Sequence, residues 1–201
     1  MLYHVNSMPI IRLSAAALAL FLGVPALAFI AVGELLTAAP TSGDAIQSID
    51  PTGLQAAGAS AQHAVLFAQN MLGVPYLYGG NGPGGFDCSG LVWAAYAGTP
   101  AQFARMGASD EYSHTPRLPL GWPLGAGDLV FFADGSGAIS HVGIFIGWNP
   151  QTRQTGGGYG MGVMIDAPHS GATVRYDDFS PSIGAAWGDE YYVGATSPEG
   201  L

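Results

Sequence analysis

The sequence predicts an α+β domain behind an apolar N-terminal segment, and three observations carry that expectation. Helical patterns come first, over residues 61–72 and 88–96, with apolar residues recurring on one face. Short strand patterns then follow from Gly127 to Val193, divided by turn residues, as in a domain with a small antiparallel sheet. Between the two helical patterns, the run Gly79-Gly-Asn-Gly-Pro-Gly-Gly-Phe-Asp87 admits no regular element and sets a sharp start for the second helix.

Composition narrows the function classes. The chain has 201 residues, with five basic residues against fourteen acidic ones and a formal charge of -9. A nucleic-acid binder needs a basic patch, and no such patch exists here. One cysteine excludes an intramolecular disulfide framework and a thiolate-rich zinc site. No metal and no cofactor is expected.

The elements follow in chain order. From Leu13 to Gly33 no charge occurs, and apolar runs of about 20 residues can span a bilayer. Residues 1–36 therefore read as a signal or signal-anchor segment. Ala26-Leu27-Ala28 resembles a signal-peptidase site. The run continues through Phe29–Val32, however, which favours a retained transmembrane anchor, and Arg12 before it with Glu34 after it favours an N-in orientation. Either way the rest of the chain is exported. Residues 37–60, rich in Ala, Thr, Ser, Gly and Pro, read as a linker. The domain proper spans 61–196, and residues 197–201 read as a tail.

Within the domain, Ala61–Leu72 is a short helix with His63 on its surface. Pro75 holds Val74 extended on the way into the glycine run. Asp87 then stands at an N-cap position, so Cys88 opens the helix, with Leu91, Val92, Ala95 and Tyr96 on one face and Gly98 at the stop. Phe86 and Trp93 read as core. Gly98–Trp122 reads as irregular, with a short helix near Ala101–Met106 and a solvated His114. Gly127–Ala133 is a strand with Asp128 as a turn carboxylate, and Ile139–Gly147 is a second strand. There Val142, Ile144 and Ile146 share one face, while His141, Gly143 and Phe145 share the other. The glycine beside His141 leaves an open patch. A third strand, Val163–Ala167, follows a Gly-rich loop that lacks the strand-to-helix context of a phosphate site. A hairpin centred on Thr155 sets Gly147 opposite Val163, Phe145 opposite Ile165 and His141 opposite His169. Thr173–Tyr176 and Gly184–Val193 read as short strands that close the sheet.

The residue types brought together this way suit nucleophilic catalysis. Such chemistry needs a thiolate, a base, and a group that holds the base in one tautomer. A thiol at a helix N-terminus feels the positive end of the helix dipole, which favours the thiolate. Cys88, His141 and His169 fill the three roles by type. The oxyanion would sit near the Cys88 N–H, with Tyr76 as a second donor. Asp87 opposes thiolate formation. It either spends its charge on capping or meets a cationic group of the substrate.

The stretches GVPYLYGG, FDCSGLVWAAY, GAGDLVFF, SHVGIFIG and DAPHSG, in this order, resemble the NlpC/p60 family of papain-like cysteine peptidases, from about His63 to Val193. The resemblance implies a papain-like fold in which the cysteine helix packs on an antiparallel sheet or half-barrel. It also implies cleavage of peptidoglycan stem peptides between γ-linked D-glutamate and the following diamino acid. Carried over by position, Cys88 is the nucleophile, His141 the base and His169 the third polar residue. Tyr76, Asp87 and Ser89 match the pocket that holds the L-Ala amine and D-Glu of the stem. The amine would then supply the countercharge for Asp87. The departure lies in Ala101–Pro119, where the Arg-Thr-Ser-like segment of the family is not found. Partners implied are the stem peptides and, through residues 1–36, a membrane, with the chain acting as a monomer. Competing readings of the same fold are a thiol acyltransferase or lipid-directed enzyme, which a permuted motif order would favour, and a non-catalytic wall-binding module, which loss of Cys88 or His141 would favour. Neither sign is present.

Overall fold

The computed structural model describes residues 51–152 and 160–201. The apolar run of residues 13–33, and with it the signal or anchor expectation, lies outside the described residues. So does most of the Gly-rich loop. No helix among the described residues is long and apolar enough to cross a membrane.

Helices α1 (Pro51–Ala56) and α2 (Ala59–Asn70) come first. They overturn the C-terminal part of the expected linker over 37–60, because Leu54 and Ala57 pack against the core and Ser60 is buried. The glycine run, expected to hold no regular element, forms a two-stranded hairpin, β1 (Asn81–Gly82) and β2 (Gly85–Phe86), that leads into α3 (Cys88–Tyr96). The next helix is α4 (Ala108–His114), not a helix near 101–106. The later start follows from Asp110 in its first turn, where a negative charge meets unpaired N–H groups.

Six strands follow: β3 (Leu129–Ala133), β4 (Ile139–Trp148), β5 (Gly162–Asp166), β6 (Arg175–Phe179), β7 (Ala186–Trp187) and β8 (Glu190–Thr196). They form one antiparallel sheet in the order β6-β5-β4-β3-β8-β7. Its end strands do not pair, so the sheet is an open half-barrel, and three register shifts along β3 and β4 bend it. The predicted α+β class is therefore the observed one.

Both faces of the sheet are covered. Leu129, Phe131, Val142, Ile144, Ile146 and Ile165 meet Ala64, Val65, Leu91, Val92 and Ala95 of α2 and α3. Val130, Phe132, Phe145, Met164, Phe179 and Tyr192 form a second cluster. The alternation along β4 is as read from the sequence. The open patch beside His141 is not there: a Cβ at Gly143 would lie 2.5 Å from Met164 Sδ. Phe86 is buried and Trp93 only half-buried.

The expected hairpin holds only near its loop. Gly147 pairs with Val163, but a bulge between Phe145 and Gly147 then shifts the ladder, and Phe145 pairs with Met164 rather than Ile165. A one-residue slip exchanges the faces of a strand. Met164 and Asp166 therefore share the face of Phe145 and His141, in place of Ile165 and His169.

The C-terminal residues are not a tail. Pro198–Gly200 forms a 3₁₀ turn with Pro198 buried, and Glu199 Oε1 accepts the Ala61 N–H at 2.6 Å. Gly58, the N-cap residue of α2, has no side chain to cap with, so Glu199 supplies that acceptor from 138 positions away.

Candidate active site

The site begins with how α3 starts. Asp87 is the N-cap, and its Oδ1 accepts the Gly90 N–H at 2.6 Å. Its Oδ2 accepts the Gly79 N–H at 3.0 Å, and its own N–H donates to Gly80 O at 3.0 Å. One carboxylate thus ties the glycine run to the first turn of the helix. The approach is so close that a Cβ at Gly90 would fall 1.9 Å from Gly80 O. Loop and helix therefore hold Cys88 at a defined position, half-buried and with its thiol accessible.

Asp87 also meets a cation. Arg105 Nη2 donates to both oxygens of Asp87, at 2.7 and 2.9 Å, while Arg105 Nη1 donates to Ser89 Oγ at 2.8 Å and to Met106 O. Ser89 Oγ in turn donates to Asp87 Oδ1. The countercharge expected of the substrate amine is therefore supplied by the chain itself. This lies in the segment where the family's arginine was not found. Asp87 is already committed to two N–H groups, a hydroxyl and one guanidinium nitrogen that touches both of its oxygens.

His141 approaches from β4. It is 3% exposed, and its Nε2 lies 3.0 Å from Oδ2 of the fully buried Asp166. Trp187 of β7 stacks on the ring, with centroids 4.8 Å apart and planes 20° apart, and Phe132 packs at 5.9 Å. With the Nε2 proton given to Asp166, Nδ1 remains for the thiol. Burial opposes a charge on this ring. Hydrogen bonds to Asp166 and Cys88, and the charges of both, outweigh it and push His141 up to about 10. The thiol of Cys88 also lies 4.0 Å from Ser140 O, the residue before His141.

Tyr76 stands on the segment leading into the glycine run. Its hydroxyl is held above the ordinary phenol range, first by burial and then by the charges of Cys88 and Asp87. It therefore remains a donor at neutral pH. Cys88, His141, Tyr76, Asp87 and Ser89 are all brought together.

His169 is not. It is exposed, its Nδ1 is paired with Ser170 O at 3.0 Å, and no hydrogen bond joins it to His141 among the described residues. The bulge in the hairpin is the reason, since it turns Asp166 to the His141 side. Two residues escaped the sequence reading. Asp166 was written in DAPHSG but hidden by the wrong register, and Arg105 lies 18 positions from its partner with no local pattern to connect them. Other histidines keep ordinary roles. His63 bonds Ala95 O at the end of α3, and His114 packs on Phe103.

This geometry has known counterparts. The NlpC/P60 family profile matches residues 73–194. Over 106 residues the chain is 35% identical to the gamma-D-glutamyl-L-lysine dipeptidyl-peptidase of Bacillus subtilis, covering 52% of this chain and 31% of that protein. Over 144 residues it is 33% identical to the murein DD-endopeptidase MepH of Escherichia coli, covering 68% and 47%. The solved structure of NlpC2 from Trichomonas vaginalis is similar over 72% of this chain and 48% of that one, with a TM-score of 0.54 and 26% identity. The chain spans between a fifth and a half of the length of the curated relatives it matches. With its cysteine helix, its half-barrel and a profile match over most of the described residues, the chain belongs to the NlpC/P60 family.

Proposed function

We propose that the chain is a cysteine peptidase that hydrolyses peptidoglycan stem peptides at the bond between γ-linked D-glutamate and the following diamino acid. The observation that carries the chemistry is the line Cys88, His141, Asp166: an accessible thiol at a helix N-terminus, a buried imidazole beside it, and a buried carboxylate behind the imidazole. The names of the Bacillus subtilis and Escherichia coli relatives support a stem-peptide substrate.

In this mechanism Cys88 Sγ attacks the amide carbon as the thiolate, and His141 carries the proton. The carbonyl oxygen becomes an oxyanion held by the Cys88 N–H and the Tyr76 hydroxyl. The tetrahedral adduct collapses by breaking the C–N bond. His141 gives its proton to the leaving amine, and a thioester remains on Cys88. Water then attacks the thioester, giving its proton to His141, and Cys88 leaves as the thiolate, which restores the starting pair. Asp166 keeps the ring in one tautomer and stabilises the imidazolium. Tyr76, Ser89 and the Asp87–Arg105 pair line the pocket for the D-Glu side of the stem. Because Arg105 already neutralises Asp87, a free stem amine is not required for its charge balance.

We further infer an extracellular or wall-facing location, reached through residues 1–36 as signal or anchor, and a single-chain working unit. Cell fractionation with N-terminal sequencing tests the location, since recovery of the intact chain in the cytoplasm would overturn it. The activity is tested by digesting defined muropeptides and reading the products by mass spectrometry. Release of L-Ala-D-Glu from free stems is expected from the wild type. Loss of several orders of magnitude is expected in Cys88→Ala and in His141→Ala, because the two act as one unit. Conversion of cross-linked dimers to monomers, without release of the dipeptide, would instead assign the chain to D,D-bond cleavage. A Cys88→Ala protein with more than a few per cent of wild-type turnover would refute the mechanism.

A further inference from the structure

In the proposed mechanism His141 gives its proton to the leaving amine, so the diamino acid that carries this amine must lie against His141. The groups around His141 on that side come from one hairpin and one bulge. The hairpin joins β7 to β8 through Gly188 and Asp189 and pairs Trp187 with Glu190. Trp187 stacks on the imidazole. The bulge is in β4: Ala133 pairs with Ile139 and Phe132 with His141, so Ser140 is the extra residue. A bulge re-aims the residue it sets free, often next to an active site. Here the carbonyl of Ser140 lies 4.0 Å from Cys88 Sγ, and its hydroxyl donates to Glu190 Oε1 at 2.7 Å. One exposed residue thus joins the nucleophile to a carboxylate.

That carboxylate has no cation among the described residues. Glu190 is half-buried; its Oε2 is shut from solvent and accepts no hydrogen bond there, while the bond from Ser140 to Oε1 is exposed. The described arginines are engaged elsewhere: Arg105 with Asp87, Arg175 with Asp177, and Arg117 over the Tyr112 ring. A carboxylate in such a place is stabilised by any ligand that brings a donor with positive charge. We propose that Glu190 and Ser140 form the subsite for the side-chain ammonium of the diamino acid, on the leaving side of the scissile bond. The ammonium donates to Glu190 Oε1, and the Ser140 hydroxyl, which keeps acceptor capacity, takes a second proton of the same group. This inference rests on the stem-peptide reading and deepens it by naming the diamino acid. Lysine, and diaminopimelate amidated at its distal carboxyl, present an ammonium with no negative charge beside it. Diaminopimelate with that carboxylate free sets a negative charge on the same carbon, which Glu190 repels.

An ammonium on a partly exposed carboxylate gives about three- to tenfold, between the small factor of a solvated pair and the larger one of a buried pair. The first measurement is kcat/KM for L-Ala-γ-D-Glu-L-Lys, for its Nε-acetyl form, and for the stems ending in free and in amidated diaminopimelate. Wild type is expected to lose about three- to tenfold on acetylation, and to cut the lysine and amidated stems faster than the free diaminopimelate stem by a similar factor. In Glu190→Gln, which keeps an acceptor for Ser140, both gaps are expected to shrink below about twofold. The absence of an acetylation penalty in wild type overturns the subsite, and that result needs no variant to fold.

The second measurement uses no peptide. Aminoethyl methanethiosulfonate carries an ammonium and sulfonatoethyl methanethiosulfonate a sulfonate; each forms a mixed disulfide with Cys88 and releases methanesulfinate. The ratio of the cationic to the anionic rate is expected to fall about threefold or more in Glu190→Gln. Asp189→Asn removes the same charge from the exposed tip of the hairpin without touching the Ser140 bond, and is expected to change the ratio by less than about twofold. A fall in Asp189→Asn as large as in Glu190→Gln assigns the effect to the general negative charge of the chain and overturns the subsite. If no stem is cleaved but the ratio falls in Glu190→Gln alone, the stem-peptide reading fails and the cation subsite stands. If stems are cleaved while acetylation and reagent charge make no difference, the subsite fails and the proposed function stands.

Discussion

Replacing Asp166 separates two candidates for the third member of the catalytic line. In the structure, the carboxylate is fully buried, and its Oδ2 lies 3.0 Å from His141 Nε2. A hydrogen bond to a charged partner contributes about 1.5–3 kcal/mol. Each 1.4 kcal/mol is a factor of ten, so Asp166→Ala should lower kcat/KM on the order of ten- to a hundredfold. Asp166→Asn keeps an acceptor at the same place without the charge, and neutral bonds are about half as strong, so its loss should be smaller. His169→Ala, with an exposed ring paired to a backbone carbonyl, should stay within about twofold of wild type. The pH dependence adds a check with a definite sign. Against burial, Asp166 and Cys88 hold His141 up to about 10, so the imidazolium persists to alkaline pH. Without Asp166 the imidazolium loses its proton at lower pH, so the alkaline limb of kcat/KM, where the proton for the leaving amine is lost, should move to lower pH. The folding stability tied to this raised histidine is complete below about 6.5, the ordinary value, and is lost as pH rises through about 10. Kinetics on a stem peptide across pH, with unfolding over the same range, measure both. His169→Ala losing as much activity as Asp166→Ala would refute the argument.

Two further outcomes follow from single contacts. Arg105→Met should leave the largely buried Asp87 carboxylate without its cation, destabilise the chain by about 1–3 kcal/mol in denaturant unfolding, and lower kcat/KM; Arg105→Lys, which keeps the charge but not the second nitrogen on Ser89, should fall between. An Arg105→Met protein as stable and active as wild type would remove the pair from the site. Glu199→Ala should lose the acceptor that caps α2, at about 1 kcal/mol, which lowers the melting temperature by about 2–4 °C for a domain of this size with turnover per folded molecule unchanged. An unchanged melting temperature would return the C-terminal residues to the status of a tail.

Most of the scaffold was legible because it depends on short-range rules. The Asp87 cap, the helix after it and its stop before Gly98 follow from local chemistry of one turn each. The two faces of β4 follow from alternation, and Cys88 and His141 were visible as the chemically capable residues on those elements. The fold class came from the order of these patterns, helical first and then strand.

Long-range closure was not legible in the same way. Glu199 on Ala61 and Arg105 on Asp87 join residues whose sequence separations carry no periodicity. Glu111 lies in a segment that read as irregular, and only the packing of α4 against α3 and β4 buries it. The partner of His141 shows the limit most plainly. Alternation says that every second residue of β5 faces His141, but not which set. A single bulged residue between Phe145 and Gly147 chose Met164 and Asp166 over Ile165 and His169, because one residue of slip exchanges the faces of a strand. The sequence by itself determined Cys88 and His141 as the proposed nucleophile and base, and the elements that carry them. Only the tertiary structure decided that a buried carboxylate, and not an exposed imidazole, stands behind the base.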